Sequence, residues 1–136
     1  MGLLGKIYQS SAIVPKEKRK KEILNQLVLL PGIPIDLGSR HKDSMDIIER
    51  DSSKRDITYA LTQLTQMRES LTKNPESKLA AVTNNNLGCA YAKLDSYQRA
   101  KEAFNDAIDQ AGPASYVRAA AIHNLELVEA IVDYGT

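Results

Sequence analysis

The feature that most limits how this chain can fold is a regular alternation of small and large residues between residues 81 and 113. The pattern reads Leu87-Gly88-x-x-Tyr91, then Ala100-x-x-x-Phe104-x-x-Ala107, and closes on Gly112-Pro113. Small residues at Gly88, Ala100 and Ala107 allow two helices to approach to the short end of the usual range of about 8–10 Å. The spacing therefore predicts a tightly packed antiparallel pair of helices, with the turn at Asp95-Ser96.

This pattern resembles one tetratricopeptide repeat, in which Leu-Gly, Tyr, Ala, Phe and a terminal Pro recur within about 34 residues. Asn84 stands where the leading Trp of the repeat is expected. The resemblance implies a first helix from about Ser77 to Leu94 and a second from about Tyr97 to Ala111. It also implies a protein-binding scaffold, although repeats of this kind share an architecture while their ligands differ.

Helical patterns on both sides of the hairpin resemble incomplete repeats. Apolar residues recur every three or four positions from Ile57 to Leu71 and stop before Asn74-Pro75, which predicts a helix. Residues 114–134 carry a wide apolar face and are predicted to form a closing helix. A continuous solenoid core takes about three repeats. We therefore expect the N-terminal helix or a second subunit to complete this one.

The first 42 residues are predicted to form a basic arm ahead of a helical domain at 43–136. The arm holds eight Lys or Arg against three acidic residues, and the rest of the chain holds ten against fourteen. This asymmetry allows the arm and the domain to attract one another, within a chain or between subunits. The sequence leaves open whether the arm packs on the repeat or is free.

Proline residues divide the arm into predicted elements. Pro15 suits the first turn of a helix, and we predict that this helix runs to Leu30, where Pro31-Gly32-Ile33-Pro34 ends it. Residues 35–42 are predicted to be a loop, and a short helix carrying Met45, Ile47 and Ile48 follows. Together with the hairpin, these elements predict an all-α fold: a short solenoid of tetratricopeptide-like helical hairpins with an N-terminal helical arm.

The resemblance to tetratricopeptide repeats also implies a groove lined by the first helix of each pair. Its candidate partner-binding residues are Asn85, Asn86, Cys89, Lys93, His123 and Asn124. The amides of Asn85, Asn86 and Asn124 are suited to hold the backbone of a peptide, and Lys93 offers a charge. The alternative is that these amides lie at a solvated surface or bond to neighbouring loops. The favoured function is that of an adaptor or assembly factor that docks a protein, a peptide or a second copy of itself.

A basic cluster in the arm supports a rival function. Its members are Lys16, Lys18, Arg19, Lys20 and Lys21. Such a cluster binds the phosphates of nucleic acid or an anionic membrane surface through counterion release, but more often it is a solvated helix face. Glu17 and Glu22 dilute the charge, and no aromatic residues interleave to stack on bases. Nucleic acid is therefore the less favoured partner.

Catalytic, cofactor-binding and metal sites are not expected. His41 and His123 are the only histidines, and the chain has no Gly-rich phosphate loop, no paired His on a helix and no nucleophile elbow. The single cysteine, Cys89, is typical of a reducing compartment. No stretch approaches the roughly 18 consecutive apolar residues of a membrane span, and the N-terminus lacks the hydrophobic stretch of a signal peptide. We therefore predict a cytoplasmic, non-catalytic protein.

Overall fold

The structure is a computed structural model that describes residues 16–31, 38–50, 52–71, 77–113 and 115–135, and its regular secondary structure over these ranges is entirely α-helical. Its helices are α1 Lys16–Leu24, α2 Gly38–Glu49, α3 Lys54–Leu71, α4 Ser77–Lys93, α5 Tyr97–Gln110 and α6 Tyr116–Gly135. The prediction of an all-α protein is confirmed for this part of the chain. Within it, no helix combines the length and the apolar character needed to cross a bilayer.

The helices pack in the order in which they occur along the chain. From α2 onward each helix contacts the next, most extensively at α4 and α5, while α4 also contacts α2 and α6, and α1 contacts α6. Helix α4 is therefore the central element, and every residue from 80 to 90 is buried. A helix buried on all sides has no solvated face for polar side chains. Its asparagines must find partners inside the protein.

Helices α4 and α5 meet at Gly88. A β-carbon added to Gly88 would lie 2.5 Å from Cε1 and 2.6 Å from Cδ1 of Phe104, which is far closer than van der Waals contact. Ala100 and Ala107 are fully buried on the same helix as Phe104. The prediction that Gly88 lies where the two helices touch is confirmed, as are the helices themselves to within a residue or two at their ends.

Asp95 reverses the chain between α4 and α5, as the sequence predicts. Its φ of 63° lies in the left-handed region. The N–H of Ser96 donates to the carbonyl of Tyr91 at 2.9 Å, and the N–H of Asp95 donates to that of Ala92 at 3.0 Å. These two hydrogen bonds form a Schellman motif, which satisfies carbonyls at the end of a helix. A left-handed backbone conformation at a residue other than glycine costs about 1–2 kcal/mol. The turn at Asp95 therefore carries a local cost in free energy.

Helix α6 is fixed to α5 close to its first residue. The hydroxyl of Ser115 accepts a hydrogen bond from the N–H of Arg118 at 3.1 Å, which is the geometry of an N-cap. The guanidinium of Arg118 donates to the carbonyl of Ile108 on α5 at 3.1 Å. These contacts place α6 beside α4 and α5. The prediction of a closing helix is confirmed.

The predicted end of the first helix is wrong. Helix α1 ends at Leu24 rather than at Leu30, and residues 27–31 have no regular secondary structure. Two physical effects account for the difference. Pro31 disfavours a helical conformation at Leu30, and side chains of α4 and α6 bind the backbone of Val28 and Leu30 in place of helical hydrogen bonds.

The predicted loop at residues 35–42 is also wrong from Gly38 onward, because α2 begins there; residues 35–37 lie outside the described ranges. Residues 38–42 lack apolar periodicity, so no local signal marks them as helical. The helix is instead stabilised by burial further along, where Ser44 and Ile48 are enclosed one turn apart. The predicted short helix carrying Met45, Ile47 and Ile48 is confirmed, and α2 crosses the division between arm and domain predicted at residue 42. The helix predicted from Ile57 to Leu71 is confirmed and begins at Lys54.

Candidate peptide-binding groove

The adjoining surfaces of α4 and α6 form a groove that holds residues 26–30 of the same chain. We call these residues the docked segment. The side chains that contact its backbone are Asn85, Asn86 and Cys89 of α4 and His123 and Asn124 of α6, and we call the surface they form the asparagine groove. Five of the six side chains predicted to line a groove therefore meet at one place.

Asn86 binds both backbone groups of a single residue, Leu30. The N–H of Leu30 donates to Oδ1 of Asn86 at 2.9 Å, and Nδ2 of Asn86 donates to the carbonyl of Leu30 at 2.8 Å. An asparagine amide presents one donor and one acceptor side by side. It therefore replaces the pair of hydrogen bonds that a neighbouring β-strand would supply.

Asn124 binds Val28 in the same way. The N–H of Val28 donates to Oδ1 of Asn124 at 2.8 Å, and its carbonyl accepts from Nδ2 of Asn124 at 2.8 Å and from Nδ2 of Asn85 at 2.9 Å. Nε2 of His123 lies 3.2 Å from the carbonyl of Gln26. Gln26 lies in the turn that follows α1. The two clamped residues, Val28 and Leu30, are two apart, which is the period of an extended chain.

Asn85 joins the two clamps into one network. Its Nδ2 donates to Oδ1 of Asn86 at 3.2 Å, and its Oδ1 accepts from Nδ2 of Asn124 at 2.9 Å. All three asparagine side chains are fully buried. In such a network each amide orients the next, and removal of one leaves buried partners without hydrogen bonds, at about 1–3 kcal/mol for each such group.

The side chains of the docked segment are unequally enclosed. Leu30 is 5% exposed and packs in a small apolar cluster drawn from α4, α6 and the residue that follows α5. Its neighbours there are Ala81, Val82, Ala111, Val117 and Ala120. Leu29 is 9% exposed and belongs to the main core, whereas Val28 is 40% exposed. The groove therefore contacts the side chains of Leu29 and Leu30 closely and leaves that of Val28 largely in solvent.

Cys89 lies beneath the docked segment. Its Sγ is 3.7 Å from the carbonyl oxygen of Val28 and 3.6 Å from Nδ2 of Asn124, and its side chain is fully buried. Burial raises the pKa of the Cys89 thiol well above its ordinary value, and the nearby charge of Lys93 opposes this only in part. The thiol is protonated at neutral pH and covered, so it is unreactive while the segment is docked.

Lys93, the sixth predicted groove residue, contacts helix α2. Its ammonium donates to the carbonyl of Ile48 near the end of α2. The last carbonyls of a helix have no partner within the helix, and a lysine satisfies one of them here. Lys93 therefore joins α4 to α2.

Asp95 links the basic cluster of α1 to the helical body. Its carboxylate lies 3.3 Å from Nζ of Lys20 and 3.2 Å from Nζ of Lys54, and it accepts a hydrogen bond from the Tyr97 hydroxyl at 2.9 Å. Lys20 also pairs with Glu17 at 3.1 Å. Helix α1 is thus attached to the turn after α4 by an ion pair that is partly open to solvent.

The ion pairs shift the pKa values of the groups that form them. Partial burial acts to raise the pKa of Asp95, but hydrogen bonds from Tyr97, Lys54 and Lys20 outweigh it and lower that pKa below its usual value. For Lys20, partial burial acts to lower the pKa, and the contacts with Glu17 and Asp95 outweigh it and raise it. Burial and the bond to Asp95 raise the pKa of Tyr97 to about 12. Both partners of the Lys20–Asp95 pair are therefore charged at neutral pH.

The other members of the basic cluster differ in exposure. Lys18 and Lys21 are exposed, Arg19 is half-buried, and the side chain of Lys16 lies outside the described residues. Lys20 is already paired with two carboxylates. Within the described ranges, no group of three or more His, Cys, Asp or Glu side chains is arranged to hold a metal ion.

The occupant of the groove belongs to the N-terminal arm, whose packing on the repeat the sequence leaves open. The amides do bond to a neighbouring segment of the chain, which was the alternative to an external peptide. The sequence holds one signal against a helix that reaches Leu30: Pro31 follows it and disfavours a helical conformation there.

Comparison of the chain with protein-family models, with curated proteins and with solved structures finds no significant match.

Proposed function

We propose that this chain is a non-catalytic protein-interaction module, built as a short tetratricopeptide-like helical repeat, that docks an extended peptide segment in the asparagine groove. The observation that carries the proposal is the pair of clamps at Val28 and Leu30. Each clamp bonds the N–H and the carbonyl of one residue through one asparagine. Backbone recognition at alternate residues is a general mode of peptide capture.

The helical architecture supports the tetratricopeptide-like part of the proposal. Consecutive helices pack as neighbours, and α4 contacts α6 as well as α5. The small residue Gly88 lies at the α4–α5 contact, and Asp95 closes the hairpin. In tetratricopeptide repeats the first helix of each pair lines the groove, and we assign α4 and α6 to the corresponding places. The free, buried thiol of Cys89 supports a reducing location, which we take to be the cytoplasm.

The chemistry of the groove also favours binding over reaction. Its polar groups are neutral amides, which donate and accept hydrogen bonds but do not transfer protons near neutral pH. Its one thiol has a raised pKa and is enclosed. An adaptor needs such a surface, because amides hold any extended backbone while the apolar contacts around them select among sequences.

A peptide selection tests the proposed function. The full chain carrying Leu30→Asp is the bait, because a carboxylate at the place of Leu30 opposes burial and frees the groove from the docked segment. We expect a displayed library of random peptides to yield binders. These binders should lose their affinity when Asn86 and Asn124 are also changed to alanine.

The triple variant Leu30→Asp/Asn86→Ala/Asn124→Ala is the matched control, since it keeps the apolar walls of the groove and lacks both clamps. Circular dichroism of both baits is the check that their helical content matches that of the wild type. A selection that enriches nothing, or only peptides that bind both baits equally, would contradict the proposed function.

A further inference from the structure

The docked segment has the properties of a ligand that the chain supplies to itself. In the described part of the chain, the groove binds backbone atoms of this segment at Gln26, Val28 and Leu30. No side chain of the segment is bound by a polar contact to the groove among the described residues. The clamps therefore recognise an extended backbone in general, and any segment able to adopt that conformation satisfies them.

The backbone contacts nevertheless restrict which sequences fit. The N–H groups of Val28 and Leu30 both donate to asparagine oxygens at 2.8–2.9 Å. A proline at either place would remove a donor and leave a buried acceptor unsatisfied. No hydrogen bond from the N–H of Leu29 is present in the described part of the chain. The groove thus requires free N–H groups at two residues that are two apart.

The apolar contacts restrict the sequence further. The residue in the second clamp must be aliphatic and compact, because Leu30 is enclosed by alanine and valine side chains of α4, α6 and the residue after α5. The preceding residue, Leu29, joins the main core. The residue in the first clamp, Val28, is not selected, because its side chain is largely exposed. The specificity is therefore that of two consecutive aliphatic residues in an extended chain.

Competition follows from the connectivity of the chain. A segment tethered to its own groove meets it at an effective concentration on the order of millimolar. A partner's segment of equal intrinsic affinity is therefore excluded until it is abundant, or until the docked segment is released. Such an internal competitor makes partner binding conditional without any change in the groove.

We propose that the docked segment is an internal competitor, and that the groove takes in its place an extended segment of a protein partner with two consecutive aliphatic residues and free backbone N–H groups at both clamps. This inference rests on the proposed function and adds to it the class of ligand and the means of control. Release of residues 26–30 empties the groove, and a partner's segment then occupies it.

The thiol of Cys89 reports occupancy of the groove directly, because the segment covers its Sγ. The rate of its reaction with a thiol reagent is measured for the full chain, for Leu30→Asp and for Leu30→Asp with a peptide of residues 25–31. We expect labelling to be at least about tenfold faster in Leu30→Asp than in the wild type, and the peptide to restore slow labelling. In the wild type the same peptide should bind at least about tenfold more weakly than in the variant, as competition requires.

Two N-methylated peptides provide the matched control. Methylation at the position of Leu30 removes a clamped N–H and should abolish protection, whereas methylation at the position of Leu29 should preserve it. Val28→Pro in the full chain is a second way to release the segment without loss of buried apolar surface, because Val28 is largely exposed. It removes one donor and keeps the proposal testable if Leu30→Asp does not fold.

Each outcome decides between the two proposals. If library peptides bind through the asparagines but the peptide of residues 25–31 gives no protection, the internal-competitor proposal is overturned and the proposed function stands. If neither binds, both are overturned. If Cys89 is labelled equally slowly in the wild type and in both released variants, the segment does not control access to the groove, and the internal-competitor proposal is overturned. A wild-type mass by light scattering that rises to that of a dimer would assign the groove to the segment of a second copy and overturn the proposal of a different partner.

Discussion

Helix α4 makes two kinds of contact, one with α5 and the other with the docked segment. Toward α5 it presents Gly88, and the ring of Phe104 occupies the space that a side chain at Gly88 would take. Toward residues 26–30 it presents Asn85 and Asn86, which bind backbone atoms. The first contact depends on the shape of both partners, and the second depends on the backbone of one partner and the amides of the other.

This difference separates a permanent contact from one that can be exchanged. The fit of Phe104 against Gly88 admits no other side chain at the same place, because interiors are close-packed. An amide clamp admits any extended backbone with free N–H and carbonyl groups. Changes at Gly88 are therefore expected to destabilise the whole fold, and changes at the asparagines are expected to release mainly the docked segment.

The largest effect is expected for Gly88→Ala. The new methyl group would overlap the ring of Phe104 at 2.5 to 2.7 Å, and overpacking of this kind costs about 1–3 kcal/mol. The gain of about 1 kcal/mol in helix propensity from alanine offsets only part of this cost. We expect a lower free energy of unfolding in urea, and partial recovery when Phe104→Leu is added, because the two sites are coupled.

Gly112→Ala is the matched control for that prediction. No atom lies within 4 Å of a β-carbon added at Gly112, so its effect on the free energy of unfolding should stay within about 0.5 kcal/mol. Equal destabilisation by the two alanines would show that the helix contact at Gly88 is not as close as described.

An intermediate effect is expected for Asn124→Ala. The substitution leaves the N–H of Val28 without its acceptor and takes one donor from its carbonyl. Buried groups left in this state cost about 1–3 kcal/mol each, but release of the segment into water limits the loss. We expect Cys89 to react faster with a thiol reagent in native buffer, while helical content from circular dichroism stays near that of the wild type.

Asn105→Ala provides the comparison for the asparagine variant, since Asn105 is exposed on α5. It should leave the reactivity of Cys89 unchanged. Global unfolding of Asn124→Ala at temperatures where Asn105→Ala is folded would mean that the docked segment belongs to the permanent core, contrary to the distinction drawn between the two contacts of α4.

The smallest effect is expected for Lys20→Met, which removes the ion pair between α1 and Asp95. Because this pair is partly exposed, solvent screens it and the expected loss is below about 1 kcal/mol. The pKa of Asp95 is lowered from its ordinary value of 3.8. Its contribution to stability is therefore present above pH 3.8 and is lost as pH falls through the lowered value. The pKa of Lys20 is raised from 10.5, so its contribution is fully present below pH 10.5 and is lost as pH rises through the raised value.

Urea unfolding at a series of pH values measures this contribution. The wild type should be the more stable protein at pH 7, and the difference from Lys20→Met should shrink below pH 3.8 and at high salt. Lys18→Met serves as the control, because Lys18 is exposed on the same helix. A difference that persists unchanged at pH 2 would assign the effect of Lys20 to packing of its aliphatic stem.

The sequence predicted the contact of α4 with α5 better than the contact of α4 with the docked segment. The spacing of Gly88, Ala100 and Phe104 along two helices already encodes their contact, because helical geometry relates sequence distance to position on a face. The candidate groove residues were found through the resemblance to tetratricopeptide repeats. The contact of Lys93 with the carbonyl of Ile48 was not predicted, because a backbone atom has no sequence signature.

The extended conformation of the docked segment was not predicted, because it depends on partners that are distant along the chain. Leu24, Leu27 and Val28 have helical spacing, and local propensity alone extends α1 through them. The hydrogen bonds that decide otherwise come from Asn86 and Asn124, which lie 56 and 96 residues away along the chain from their partners. Contacts at such separations enter only when the tertiary structure is formed, so local patterns do not record them.

Hydrogen exchange of individual backbone amides, followed by NMR on the wild type, tests most directly whether the docked segment lies extended across the asparagines. The expected result is slow exchange at Val28 and Leu30 and fast exchange at Leu29 between them. Asn124→Ala should accelerate Val28 most, and Asn86→Ala should accelerate Leu30 most. Uniform protection of residues 27–30, as in a continued helix, or uniformly fast exchange across them, would contradict the account.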